Sequence, residues 1–394
     1  MTTSVAPPAS GAWREGDPVA FRKFADIGAV DLELGDALSD VRVAYQTWGS
    51  LNDRGDNAVL VEHALTGDAH VAGDKAPGQP TPGWWDAVIG PGKALDTDRY
   101  FVVCANVLGG CQGTTGPAST SVDGRPYGSR WPRITIRDQV TVEARLADHL
   151  GIESFTSVIG GSMGGMRALE WLVMYPGRIR SAALLATAAA ASADQIGTQT
   201  AQIQAITNDP SWHGGDYYDA PRGGGPHRGL ALARQFAHLT YRTAGELDLR
   251  FGRDAQPGED PHTPLARGRD NAAGRYTVQS YLDQNADKLI RRFDAGSYVA
   301  LSDAMSTHDV ARGRGARSAV LGRITVPVRV AGLDSDRLYP LALQQTMADE
   351  IPGCPGLDVI ETPFGHDGFL IESERVGHIV SDLLASVGAD HATC

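Results

Sequence analysis

Residues 155–175 read Phe155-Thr-Ser-Val-Ile-Gly-Gly-Ser-Met-Gly-Gly-Met-Arg-Ala-Leu-Glu-Trp-Leu-Val-Met-Tyr175. A short β-prone run ends at Ile159, and Gly160, Ser162 and Gly164 then spell G-x-S-x-G. A helix-forming segment follows at once and stops at Tyr175-Pro176-Gly177, because proline cannot continue a helix. Strand, glycine-flanked serine and helix in immediate succession make a nucleophile elbow. A serine on so sharp a turn has strained backbone angles, and its neighbours must be glycines to avoid clashes. Its hydroxyl is held clear of the sheet, near a helix N-terminus whose N–H groups can stabilise an oxyanion. The first such donor is the N–H after the nucleophile, that of Met163.

Working outward, the alternation of Val41, Val43 and Tyr45 within 32–49 suits antiparallel strands with turn residues between. Residues 58–63 form a short apolar run that leads into the loop Ala64-Leu65-Thr66-Gly67. A second buried strand over 100–106 precedes the glycine-rich stretch 108–116, and 137–150 has the spacing of an amphipathic helix. Further strands are expected over 182–186 and 326–331. Repeated strand–loop–helix units of this kind predict an α/β fold, a mostly parallel central sheet with helices on both faces.

Between about residues 190 and 315 the pattern changes to helical segments separated by Gly/Pro/Asp-rich loops at 213–229 and 252–274. We take 190–315 as a helical lid inserted into a core domain made of 18–189 and 316–394. Residues 1–17, small and proline-containing at their start, are expected to be a disordered tail. They lack the basic region and apolar run of a signal peptide.

The chain has 394 residues, with 35 lysines and arginines against 47 aspartates and glutamates, a net charge of −12. No basic stripe suggests nucleic acid, and an acidic surface argues against an anionic membrane. A polyanionic ligand would need a local basic pocket, since the global field repels it. No apolar stretch approaches the roughly 20 residues of a membrane span. Cys104, Cys111, Cys354 and Cys394 have no CxxC spacing, so neither a metal site nor a disulfide framework is implied. A soluble, cytoplasmic protein is expected.

A serine hydroxyl is a poor nucleophile until a histidine takes its proton, and that histidine needs a third group to fix its tautomer. On an elbow of this kind the partners follow in the order serine, acid, histidine. Asp334 and Asp336 both lie in the loop after the 326–331 strand, and spacing alone does not separate them. His366 lies in the glycine-flanked loop Phe364-Gly365-His366-Asp367-Gly368 near the C-terminus. It is preferred by chain position over His63, His70, His213, His227, His238 and His308. Both loops can reach the carboxyl edge of the sheet, where open α/β sheets bind ligands. Leu65, in the loop after an early strand, is the natural second oxyanion donor.

Several segments together resemble the homoserine O-acetyltransferase family of α/β-hydrolase-fold acyltransferases. They are His63-Ala-Leu-Thr-Gly-Asp68, Gly83-Trp-Trp-Asp86, Gly90-Pro-Gly92, Asn106-Val-Leu-Gly-Gly-Cys-Gln-Gly-Thr-Thr-Gly-Pro117 and the elbow through Trp171. Later come Leu232-Ala-Arg-Gln-Phe-Ala-His-Leu-Thr-Tyr-Arg242, Ser335-Asp-Arg-Leu-Tyr-Pro340 and Gly365-His-Asp-Gly368. The resemblance spans about residues 18 to 386 and is weakest in the two lid loops.

It implies an α/β-hydrolase fold and a triad of Ser162, Asp336 and His366, the acid being the aspartate of the Ser-Asp-x-Leu-aromatic-Pro motif. It also implies a substrate-binding Arg234 with a companion Tyr241, seven residues on and so on the same helix face. Arg234 suits the α-carboxylate of an amino-acid acceptor, and Asp367 offers a carboxylate to its α-ammonium group. Thr66 is counted with these substrate contacts. The implied reaction is ping-pong transfer of acetyl from acetyl-CoA to L-homoserine, in methionine biosynthesis. No metal or tightly bound cofactor is implied, and acetyl-CoA is a co-substrate. The family resemblance also implies a homodimer. Alternatives are succinyl-CoA as donor, another hydroxyl acceptor such as serine or deacetylcephalosporin C, or water, as in an esterase.

Overall fold

The computed structural model describes residues 5–262 and 274–389. Its main sheet contains β1 (Lys23–Asp31), β2 (Ala37–Trp48), β3 (Ala58–Glu62), β4 (Phe101–Ala105), β5 (Ser157–Gly161), β6 (Ala182–Leu185), β7 (Val328–Leu333) and β8 (Leu357–Ile360). The strand order is β1-β2-β4-β3-β5-β6-β7-β8. β2 is antiparallel to both its neighbours, and all other pairs are parallel. The helices are α1 (Ile136–His149), α2 (Met163–Met174), α3 (Ala193–Thr207), α4 (His227–Tyr241), α5 (Ala244–Phe251), α6 (Thr277–Ile290), α7 (Ala295–Ser306), α8 (Arg317–Leu321), α9 (Leu341–Glu350), α10 (Gly368–Ile371) and α11 (Ser373–Ala389). This is the α/β-hydrolase fold that the sequence implied.

The central strands are short and apolar because both faces are covered; every residue of β3 and β5 is buried. Successive residues point to opposite faces. Leu60, Val158, Leu184 and Val330 pack with α1, α2, α8 and α9, while Val59, Ile159, Ala183 and Ala331 pack with Trp85 and α11. α1 starts where Thr135 and Asp138 form a capping box, each side chain accepting the other's backbone N–H.

Two boundaries differ from the sequence expectation. β5 does not end at Ile159 but runs through Gly161, because Gly160 and Gly161 pair with Leu184 and Leu185 of β6. Ser162 therefore follows the strand with no spacer. The alternating stretch 32–49 holds one strand, β2, whose antiparallel partner β1 lies upstream. The turn between them closes through Leu32 N–H to Asp36 O at 2.8 Å and Gly35 N–H to Leu32 O at 3.0 Å.

Helices α3 to α8 lie between β6 and β7. Tyr298 and Leu301 of α7 share an apolar cluster with Leu65, Met163 and Met166, which places this helical layer over the elbow. The expected 213–229 loop contains a 3-10 turn at His213–Gly215 and gives way to α4 at His227. The middle of the expected 252–274 loop, 263–273, lies outside the described residues.

The disordered tail is a correction where the structure describes it, from residue 5. Ala9, Ser10 and Ala12 are buried. Ser10 Oγ donates to Asp294 at 2.7 Å, Gly11 N–H to Phe293 O at 3.3 Å, and Trp13 N–H to Cys111 O at 2.9 Å. The small residues that suggested fraying are small for packing: a Cβ on Gly11 would sit 2.5 Å from Phe293 N. No helix among the described residues is long and apolar enough to cross a membrane.

Candidate active site

Ser162 stands between β5 and α2 with φ 58° and ψ −124°. Such a conformation costs a non-glycine residue about 1–3 kcal/mol and persists only where surroundings enforce it. Here Ser162 N–H donates to Leu185 O at 3.0 Å, and Thr187 Oγ1 donates to Ser162 O at 2.8 Å. The surrounding glycines are required for space, since none of them has a positive φ. A Cβ on Gly160 would lie 2.2 Å from Gly164 O, and one on Gly164 would lie 2.1 Å from Glu62 O. The elbow helix thus rests directly on the end of β3.

The parallel strands end on one edge, where the other candidates gather. In the loop after β7, Asp336 Oδ1 accepts from Leu338 N–H at 2.8 Å and Tyr339 N–H at 2.9 Å. Its Oδ2 accepts from His366 Nδ1 at 2.6 Å. A carboxylate only accepts, so the neutral His366 carries its proton on Nδ1 and leaves the Nε2 lone pair free. Asp334 does something else: its Oδ1 accepts from Thr362 N–H at 2.9 Å and ties the β7 and β8 loops together. The ambiguity between the two aspartates is thereby resolved geometrically in favour of Asp336 as the partner of His366.

Ser162, Asp336 and His366 are all buried, at 5%, 5% and 3% exposure. Tyr339 stacks on His366 at 5.0 Å and 20°, and Phe369 meets it edge-on at 5.5 Å. Gly161 lies against the same Phe369 ring, at 2.5 Å from where its Cβ would be, so the histidine loop packs on the residue before Ser162. Burial pushes the His366 pKa down, but the Asp336 charge and hydrogen bond, with Asp367, outweigh it and leave the pKa raised.

The other buried histidines are structural. His63 bonds Ala64 O through Nδ1 and accepts Val107 N–H at Nε2, and burial drives its pKa down to about 3. Burial likewise lowers His238 to about 3 and His308 to about 4.

Among the described residues, neither the Leu65 nor the Met163 N–H has a hydrogen-bond acceptor, and both residues are buried. Unpaired buried N–H groups are uncommon.

On α4, Arg234 Nη1 donates to Thr66 Oγ1 at 3.3 Å, and its guanidinium lies 6.0 Å from the Tyr241 ring centre. The Tyr241 ring is 5.7 Å from His366. Arg234 has no carboxylate partner among the described residues, and its buried Nε has no hydrogen-bond partner. Among the described residues, Asp367 accepts only a long contact, 3.4 Å, from Arg242 Nη1. The structure thus brings Thr66, Arg234, Tyr241 and Asp367 around the histidine.

Three contributors escaped the sequence reading. Arg242 pairs with Glu246 at 2.6 Å and faces Asp367. Tyr339 backs His366, and its place in the Ser335–Pro340 motif was the available signal. Arg167 is fully buried one turn beyond Ser162, on a helix whose other charged residue is the buried Glu170.

A family model described as alpha/beta hydrolase fold matches residues 57–373. The chain is 58% identical over 379 residues to a homoserine O-acetyltransferase of Thermobifida fusca, covering 96% of this chain and 97% of that protein. Among solved structures, it resembles homoserine O-acetyltransferase from Bacillus anthracis with TM-score 0.82 and 25% identity, over 92% of this chain and 97% of that one. It resembles esterase E22 with TM-score 0.81 and 26% identity, over 92% and 99% of the two chains. With its elbow serine, its Asp336–His366 pair and this likeness along almost its whole length, the chain belongs to the homoserine O-acetyltransferase family of α/β-hydrolase-fold enzymes.

Proposed function

We propose that this chain transfers acetyl from acetyl-CoA to the γ-hydroxyl of L-homoserine through an acetyl-serine on Ser162, a step of methionine biosynthesis. His366 Nε2 takes the Ser162 proton, and Oγ attacks the thioester carbonyl carbon. The Leu65 and Met163 N–H groups receive the oxyanion. Collapse breaks the C–S bond, and the CoA thiolate takes the proton from His366. The homoserine hydroxyl then gives its proton to His366 and attacks the acyl-serine; collapse returns a proton to Ser162 and frees O-acetyl-L-homoserine. Asp336 holds the imidazole and its charge throughout.

The observation that carries the acceptor is Arg234, a guanidinium without a carboxylate partner among the described residues, anchored on Thr66. It suits an α-carboxylate, with Asp367 for the ammonium group and Tyr241 closing the side. The helical cap over 190–315 keeps water from the intermediate. Acetyl-CoA acts as a co-substrate, and the cycle balances without a tightly bound cofactor or metal. We take the enzyme to be a cytoplasmic homodimer. The exposed apolar residues Leu232, Phe236 and Leu239 on α4 support the dimer.

Hydrolysis, with water as acceptor, is the second reading, favoured by the likeness to esterase E22. Mixing the chain with acetyl-CoA should give one acetyl mass increment, absent in Ser162→Ala, that homoserine discharges. CoA release independent of homoserine would overturn the transferase reading. Replacing acetyl-CoA by succinyl-CoA in the same assay decides the donor.

A further inference from the structure

The chain carries a net charge of −12, yet one cavity of ≈ 580 Å³ concentrates positive charge. Its walls are the N-terminal segment from Pro8 to Arg14, the turn at Gly78–Thr81 and the junction between α6 and α7. Arg14, Arg22, Arg222, Arg291 and Arg292 line it, against Asp17 and Asp68. Arg22 is 6% exposed and spends its N–H groups on the carbonyls of Gln112, Val19 and Gly78 and on Gln112 Oε1. Arg14 Nη2 donates to Tyr218 O at 3.2 Å, and Arg222 Nε to Ala6 O at 2.9 Å. Among the described residues none of these three makes an ion pair. Carbonyl bonds aim a guanidinium but leave its charge uncancelled, which is costly at the buried Arg22; Arg14 and Arg222 are exposed. Arg292 is only loosely matched: its Nη1 has no hydrogen-bond partner and forms a long ion pair, 3.7 Å, with Asp68 Oδ2.

The cavity also shares a loop with the acceptor pocket. Arg292 Nη2 donates to the carbonyl of Thr66, whose hydroxyl accepts from Arg234. One loop, 63–68, therefore has this cavity on one side and the acceptor pocket on the other, with the Leu65 N–H within it.

We propose that this cavity holds the phosphate groups of acetyl-CoA, with Arg14, Arg222 and Arg292 as ligands and Arg22 as fixed background charge. Guanidinium forks match phosphate oxygens in pairs, and a polyanion answers Arg14, Arg22 and Arg222, which have no ion pair among the described residues, together. The N-terminal segment becomes part of the donor site, which gives a reason for its being pinned. This inference rests on the acyl-transfer reading above.

The test compares acetyl-CoA with acetyl-pantetheine, which carries the same thioester and no phosphate. In the full chain, the Arg14→Ala/Arg222→Ala pair should raise the ratio of KM for acetyl-CoA to KM for acetyl-pantetheine at least tenfold. Both residues anchor the N-terminal segment, so a second variant leaves those anchors alone. Thr81→Glu, at an exposed position on the rim, adds a repelling charge and should raise the same ratio. Adenosine 3′,5′-bisphosphate should compete with acetyl-CoA. A ratio unchanged in both variants, or a bisphosphate that binds without competing, would overturn the site while acetyl-serine formation still stood. No acetyl-serine in the unaltered chain would instead overturn the transfer reading on which the site depends.

Discussion

Arg167 Nη2 donates to the carbonyl oxygen of His63 at 2.5 Å, which ties the elbow helix to the loop carrying Leu65. Its Nη1 lies 2.7 Å from Glu62 Oε2 and also binds Glu143, whose other oxygen accepts from Trp171 Nε1 at 3.1 Å. All of these groups are buried. One guanidinium thus sets the spacing between the two N–H groups proposed for the oxyanion. Burial pushes the Glu62 carboxyl up, and Arg167 opposes that. Removing one partner of such a cluster strands a buried charge, at about 3–5 kcal/mol. Arg167→Met should therefore lower the unfolding free energy by about that amount in a denaturant titration. A loss below about 1 kcal/mol would mean that the carboxylates are neutral in the folded chain, as burial alone would make them.

The acceptor pocket makes a prediction that separates the two half-reactions. A charged hydrogen bond is worth about 1.5–3 kcal/mol. Arg234→Ala should therefore cut kcat/KM for homoserine by about ten- to a hundredfold, because the proposed carboxylate contact is lost along with the Thr66 bond. Formation of the acetyl-enzyme from acetyl-CoA should stay near its original rate, as Arg234 touches Thr66 and not the triad. Rapid-quench measurement of the acetyl mass increment reads the first half, and steady-state kinetics the second. Equal damage to both would contradict the assignment.

What the sequence disclosed and what it withheld divide along physical lines. The elbow was legible because a strand, a glycine-flanked serine and a helix are contiguous in the chain. The parallel sheet was legible because β3 and β5 are apolar throughout. Asp336 and His366 are 30 residues apart and meet through a hydrogen bond that no local pattern encodes. Spacing therefore left Asp334 and Asp336 equal until the fold turned one toward Thr362 and the other toward the imidazole. The N-terminal segment was misjudged for a similar reason. Its small residues look like loose chain until Asp294 and Phe293, nearly 300 positions away, are packed against Ser10 and Gly11.

The outer face of α4 predicts the oligomeric state. Leu232, Phe236 and Leu239 are 46%, 45% and 43% exposed, at spacings of four and three that place them on one stripe. Single exposed apolar residues are ordinary, but a continuous helical stripe marks an association surface. Light scattering should find twice the 41.7 kDa of one chain. Phe236→Glu should shift it toward the single-chain mass with an unchanged far-ultraviolet circular dichroism spectrum. An unaltered chain that is monomeric at micromolar concentration would remove the dimer.

The pH dependence follows from the balance of forces on His366. The folded chain raises its pKa above the usual 6.5, because Asp336 outweighs burial. Below that raised pKa the imidazole is charged and cannot take the Ser162 proton, so kcat/KM for acetyl-CoA should rise with pH through a value above 6.5 and then level. The stability term runs the opposite way. A pKa raised on folding favours the protonated state, so this pair contributes fully below the unfolded pKa and fades as pH rises through the folded one. Asp336→Asn removes the charge that holds the value up and leaves burial to push it down. Its acidic limb should therefore fall below 6.5, while the plateau drops by roughly 10⁴ as the imidazole loses its orientation. Profiles of kcat/KM for both chains check this, and a variant limb that does not move would assign the titration to a group other than His366.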